Sequence, residues 1–155
     1  MNPAQDNPRI FVPPPLLIAA TLLAGLALQG KLRHWPEPGA LVAMASLVLV
    51  LVGCALIGGA LGLFWKAGTR PEPWAAASAI VRGGPYRFTR NPMYLGMLAV
   101  YAGVALYFLS WVAGAMLVPL FAIMDRIVIP REETYLTRRF GREYEAFRMR
   151  VRRWL

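Results

Sequence analysis

Residues 39–65 read GALVAMASLVLVLVGCALIGGALGLFW and contain no charged side chain. A helix of that length spans the roughly 30 Å hydrocarbon layer of a bilayer with some tilt. The run fixes how the rest of the chain is read. The chain is 57% hydrophobic and carries a formal net charge of +9 over its 155 residues, and the two properties are segregated. Apolar residues form long uncharged runs, while Lys and Arg fall between the runs and in the last quarter of the chain. A soluble basic protein would interleave them, so the positive charge belongs beside membrane spans and not on a nucleic-acid surface. No nucleic-acid partner is expected.

Working outward, three more apolar runs give four expected transmembrane helices, at about 11–31, 39–65, 92–109 and 111–129. Pro13, Pro14 and Pro15 open the first, where proline is tolerated in a first helical turn. Residues 1–9 lack the basic start and cleavage site of a signal peptide, so this run is read as a retained span. Only a residue or two near Ser110 separates the last two runs, which predicts a tight antiparallel helical hairpin. Pro119 should kink its second arm. In the second run, Gly58 and Gly62 stand in GxxxG spacing, which predicts close approach of a neighbouring helix within the chain or across a dimer. Oligomeric state is left open.

The expected fold is an all-α polytopic membrane bundle forming one domain, residues 1–155. It has a polar loop at 66–91 and, after Pro130, amphipathic helices at 131–155. In that last segment Leu136, Phe140, Tyr144, Phe147, Val151 and Trp154 recur every three or four residues among Arg and Glu. Gly141 is placed to bend or break it. Four spans put both termini on one side, with Arg9, Lys66, Arg70, Arg82, Arg87, Arg90 and the Arg-rich tail. Lys31 and Arg33 alone fall on the other. The positive-inside rule then makes the termini and the 66–91 loop cytoplasmic, in the plasma or inner membrane if the source is prokaryotic.

A single cysteine, Cys54, and a single histidine, His34, leave no material for a disulfide, a Cys- or His-rich metal site or a Ser/His/Asp arrangement. No metal is expected. Chemistry is sought instead in two polar stretches that the hairpin brings together, SAIVRGGPYRFTRNPMYLG at 78–96 and the segment from Arg126 to Tyr144. Each residue has a plain structural reading. Asn91-Pro92 is a helix start with Asn as N-cap, Gly83-Gly84-Pro85 is a turn, the tyrosines suit a membrane interface, and Glu132 and Glu133 could pair with Arg131, Arg138 or Arg139. Together they read differently. Glu132 and Glu133 both border the Leu136 stripe, where a carboxylate is costly unless it meets a cation. Arg126 closes a span, and the start of the third helix offers free N–H groups to an anion. Such a pocket suits a zwitterionic ligand with an aromatic base, as S-adenosylmethionine is.

The run GGPYRFTRNPMYLG, followed after the hairpin by R-x5-E-E-x2-L-x3-F-G-x2-Y, resembles the membrane-embedded isoprenylcysteine carboxyl methyltransferases and equally the phospholipid N-methyltransferases. The resemblance covers about 78–154. It implies an S-adenosylmethionine-dependent methyltransferase with a lateral opening for a lipophilic or small acceptor, a carboxylate, amine or thiol, reached from the membrane lipids. Carried over by position, Ile80 and Val81 hold the adenosine part. Gly84, Tyr86, Arg90, Asn91, Pro92, Met93, Tyr94 and Gly96 line the cofactor site. Glu132, or less favourably Glu133, contacts the cofactor's amino group, and Arg126 faces the acceptor or reacting centre. Arg126 and Glu132 are the catalytic candidates. Asn91 stands where eukaryotic members carry His, so a role needing an ionised imidazole is ruled out. Two other classes compete: an NADPH-dependent membrane reductase, since some sterol reductases have a similar C-terminal region, and a non-catalytic membrane assembly protein. For a carboxylate acceptor the rate should vary little between about pH 6 and 8, because reference carboxyl pKa values lie near 4.

Overall fold

The structure is a computed structural model that describes residues 12–32, 36–69 and 78–155. The expected start of the first span at Phe11, the stretch 1–9, and Arg33, His34 and Arg70 lie outside the described residues, as do positions 71–77 of the polar loop. Every element among the described residues is helical: α1 Pro14–Leu32, α2 Ala40–Lys66, α3 Pro92–Tyr107, α4 Trp111–Ile123, α5 Ile129–Phe140 and α6 Arg142–Arg150. A short 3₁₀ turn, Gly84–Arg87, precedes α3, and a π turn, Met124–Val128, joins α4 to α5.

Among the described residues, three helical stretches are long and apolar enough to cross a membrane: Pro14–Leu32, Ala40–Lys66 and the continuous Trp111–Phe140. The apolar part of the last gives way at Asp125. A crossing helix needs about 20 residues, so a span that starts at Trp111 is complete near Pro130 and α5 lies beyond it. α3 is apolar but has only 16 residues, about 24 Å at the usual helical rise. It is therefore shorter than a full crossing, and the sequence reading overestimated its C-terminal end by two residues. The surface agrees with a lipid solvent. Leu41, Met44, Leu47, Val48, Leu51 and Val52 of α2 are all exposed, an apolar stretch that water would not tolerate on a monomer. The chain is an integral membrane protein.

α3 is the hub of the bundle: it packs on α2, α1 and α4, while α1 also packs on α4. The α3–α4 hairpin forms as the sequence predicts. Ser110 ends the turn by accepting the Ala113 amide at 3.2 Å, a side-chain N-cap. The hydroxyl of Tyr101, fully buried on α3, donates to Ala113 O at 3.0 Å.

The α2–α3 contact does not use Gly58 and Gly62, whose expected packing was either within the chain or across a dimer. A Cβ at Gly58 or Gly62 would meet nothing within 4 Å, so the GxxxG face packs on no described residue of the chain. The close seam uses a seven-residue repeat instead. Ser46, Gly53 and Ala60 are the buried residues of α2, opposite Gly96 and Gly103 of α3. A Cβ at Gly53 would come within 2.6 Å of Gly96 O, and one at Gly96 within 2.7 Å of Gly53 O. Seven-residue spacing keeps a small side chain on the same face of two helices packed along their length, which four-residue spacing achieves only locally.

α4 continues through Pro119, and the departure from α geometry comes at Met124–Val128. Pro130 explains the position. It has no N–H for the carbonyl four residues back, and its ring crowds that carbonyl, so the backbone widens and Ile129 N–H reaches Met124 O. Gly141, at φ +53°, breaks the amphipathic segment into α5 and α6.

The seam gives a prediction. Gly53→Ala and Gly96→Ala should each lower stability by about 1–3 kcal/mol through overpacking. Gly58→Ala and Gly62→Ala should change it by less than about 1 kcal/mol. Thermal unfolding in detergent compares the four.

Candidate functional site

Two buried clusters meet at the start of α3. One fills the bundle and includes Tyr94, Leu98, Tyr101, Leu120, Met124 and Ile129. The other caps its polar end and consists of Ala60, Tyr86, Tyr144 and Phe147, with Ile80, Val81, Met93 and Leu136 packed against it. The loop before α3 is shaped by Gly84, whose φ of +53° favours glycine. Pro85 and the 3₁₀ turn then drive the Tyr86 ring into the second cluster, edge-on to Phe64 at 6.0 Å.

At the junction of the clusters the two carboxylates of α5 have different partners. The hydroxyl of Tyr94, in the first turn of α3, donates to Glu132 Oε1. Glu133, one residue on, is held by two guanidiniums. Arg153 spans both of its oxygens, Nη2 to Oε2 at 2.8 Å and Nε to Oε1 at 3.3 Å. Arg90 reaches Oε1 through Nη2 at 3.1 Å. The Arg90 and Glu133 side chains are each only 10% exposed, which makes this a desolvated pair and not a surface bridge. Arg90 Nε and Nη1 are buried with no hydrogen-bond partner among the described residues. Buried guanidinium donors left open are unusual, and these two are free to bond a further acceptor.

Glu132 lies beyond the spanning part of its helix. Burial pushes its carboxyl up from an ordinary 4.5 to about 7, the Glu133 carboxylate adds to the rise, and the Tyr94 hydrogen bond opposes it. The Tyr86 phenol is pushed up first by burial and then by Glu132. Burial likewise takes the Tyr144 phenol to about 12, with Glu133 adding to it.

The residues singled out in the sequence fall into two groups. Tyr86, Arg90, Met93, Tyr94, Glu132 and Glu133 converge with Ile80 and Val81 on the junction. Pro92 is buried at the first position of α3. Asn91 sits at the N-cap position but makes no side-chain cap, and its amide donates instead to Arg153 O at 3.0 Å. Its φ and ψ of −126° and 51° lie outside the extended conformation usual for a capping residue. Gly96 faces α2, not the junction. Arg126 is exposed on the π turn. Asp125 pairs with Arg153 at 3.2 Å and accepts the Trp154 indole N–H at 2.9 Å.

Sequence reasoning missed Arg153. Nothing in its local pattern separates it from Arg148, Arg150 or Arg152. Its role comes from the chain turning back after α6, where Arg90 N–H bonds Arg152 O at 2.9 Å and the Thr89 hydroxyl bonds Arg153 O at 2.9 Å. A groove of about 420 Å³ between α2 and α3, lined in part by Ser46, Val50, Gly103 and Tyr107, is remote from these groups. It lies nine or more residues along α3 from Tyr94, about 14 Å or more away.

Residues 41–143 match the family model described as phospholipid methyltransferase, about two thirds of the chain and both polar stretches up to α6. An uncharacterized protein of Haemophilus influenzae is 35% identical over 63 residues, 41% of this chain and 100% of its own length. No solved structure matches the chain.

The two carboxylates should respond oppositely to neutralisation. Glu133→Gln leaves two arginines with their shared anion gone and should destabilise by about 3–5 kcal/mol. Glu132 is different because its native carboxyl holds its proton up to about 7. Between about pH 4.5 and 7 the unfolded chain ionises while the native state does not. Wild-type stability should therefore fall across that window, relative to Glu132→Gln, and run parallel to it above the window. Thermal unfolding in detergent from pH 4.5 to 8 measures both effects.

Proposed function

Since the chain belongs to the phospholipid methyltransferase family, we propose that it is a membrane methyltransferase using S-adenosylmethionine and acting on a lipophilic acceptor reached from the bilayer. The observation that carries the reading is the presence at one junction of a desolvated arginine with open donors, Arg90, and a half-buried carboxyl poised near neutrality, Glu132. The ligand has an α-amino acid end and an adenine, and the residues present fit both. Arg90 Nε and Nη1 suit its carboxylate, and Glu132 suits its ammonium. Tyr86, Met93, Ile80 and Val81 supply an apolar wall for the base.

When bound, S-adenosylmethionine supplies an electrophilic methyl group on a sulfonium, transferred by in-line displacement. The chain's contribution is to position and to exclude water. Tyr94 orients the Glu132 carboxylate, and Glu133 anchors Arg90 through Nη2 while its Nε and Nη1 stay open. Arg126 is exposed at the end of the spanning segment, and its role in this reading is to meet an acceptor headgroup arriving from the membrane surface. The family description favours a phospholipid headgroup. A lipid amine must lose a proton before it attacks, whereas a carboxylate need not. In the membrane, the Arg-rich end is assigned to the cytoplasm, and both termini share that side if the short α3 and its flanking turns complete a fourth crossing beside α4.

Titration calorimetry in detergent tests the reading with S-adenosylhomocysteine and NADPH as probes. The expected result is binding of S-adenosylhomocysteine alone, strengthening between about pH 6 and 8 as Glu132 ionises. Glu132→Gln should weaken it by about 10- to 100-fold, the worth of a charge-assisted hydrogen bond, and flatten the pH profile. Binding of NADPH alone would favour a reductase. Normal function in Glu132→Gln and Tyr94→Ala proteins that still fold would favour an assembly role.

A further inference from the structure

Arg153 touches more of the polar end than any residue yet assigned to the site. Its guanidinium takes both oxygens of Glu133 and, through Nη1, bonds Asp125 O at 3.1 Å and Asp125 Oδ1 at 3.2 Å. Its carbonyl accepts from the Thr89 hydroxyl and the Asn91 amide. One residue thus joins the loop before α3, the π turn and α5. Trp154 supports it by donating to Asp125 and lying 5.0 Å from the Phe121 ring.

The consequence is electrostatic as well as mechanical. A carboxylate offers two oxygens, and the Arg153 fork engages both, so Arg90 is left with a single contact through Nη2. That is why Arg90 keeps Nε and Nη1 open. Arg90 and Arg153 also balance Glu133 and Asp125, two charges against two, which limits the negative field that reaches Glu132. The titratable and charged groups around Glu132 are Tyr94 of α3, Tyr86 of the 3₁₀ turn, Tyr144 of α6 and Glu133 on its own helix, with Arg90 and Arg148 acting on Tyr144.

We infer that Arg153 is a positioning residue: by occupying both oxygens of Glu133 it keeps the inner donors of Arg90 open for an anionic group and sets the charge balance in which Glu132 receives a cation. The inference rests on the cofactor reading for the identity of those two groups, but not for the arrangement itself. Without Arg153, Arg90 would turn its fork onto Glu133 and close the anion site, and Glu132 would sit in a more negative field.

The test is infrared titration of the ligand-free full chain in detergent, with the Glu132 carboxyl band identified by its loss in Glu132→Gln. Arg153→Gln should move the midpoint up by about half a pH unit or more, and Asp125→Asn should move it down. Arg153→Lys, which keeps the charge without the fork, should leave the midpoint near the wild-type value. At pH 8.5 both Arg153 variants should bind S-adenosylhomocysteine about tenfold or more weakly. A merely structural role would not shift the midpoint in opposite directions. If Arg153→Gln does not fold, Asp125→Asn and Arg153→Lys carry the test. Unchanged midpoints in Arg153→Gln and Asp125→Asn, or in Asp125→Asn alone where the other does not fold, would overturn the inference. Failure of wild type to bind S-adenosylhomocysteine would instead defeat the cofactor reading, with the midpoints still deciding how Glu132 is set.

Discussion

Glu133 is the anion on which the polar end of this molecule is organised. A carboxylate with 10% exposure is unfavourable next to an apolar bundle unless cations reach it. Here one cation arrives from the loop before α3 and the other from the segment after α6. Those contacts bring together stretches more than forty residues apart in sequence. The same contacts determine what remains available: Glu132, with one tyrosine, and Arg90, with two open donors. The site is a by-product of how Glu133 is satisfied.

The membrane part follows a different physics. Between helices in lipid there is little hydrophobic drive, so close packing and a few hydrogen bonds decide the arrangement. The Gly53–Gly96 approach and the Tyr101–Ala113 bond do that work around α3. They fix where α3 begins, and the first turn of α3 presents Tyr94 to Glu132. A shift of the α2–α3 seam would move Tyr94 as well, which couples the lipid-embedded packing to the site.

Much of this was legible in the sequence because it is encoded by composition and local pattern. Uncharged runs, the break at Ser110 and the Pro at position 92 gave helix starts within three residues of those observed, whereas the fourth run, expected to end at 129, closes as α4 at Ile123 and continues through the π turn into α5. The Leu136 stripe and Gly141 gave the two amphipathic helices. The pairing of residues 78–96 with 126–144 followed from the hairpin alone. What local pattern does not carry is three-dimensional. GxxxG spacing at Gly58 and Gly62 is a local pattern, but which face meets α3 depends on the register of two helices, and Gly53 and Ala60 win that contact. Asn91 has the identity of a cap, yet a carbonyl from Arg153 takes its amide. Arg153 is invisible because all of the last nine residues are arginine or apolar, four of them arginine, in no telling order.

Photo-crosslinking with S-adenosylmethionine labelled in its methyl group, followed by peptide mapping, locates the cofactor on the chain. If the junction of α3 and α5 is the cofactor site, label should appear in peptides covering Tyr86–Tyr94 and Glu132–Tyr144, and excess S-adenosylhomocysteine should abolish it. Label confined to the α2–α3 groove near Ser46 and Gly103, or none above background in folded protein, would contradict it.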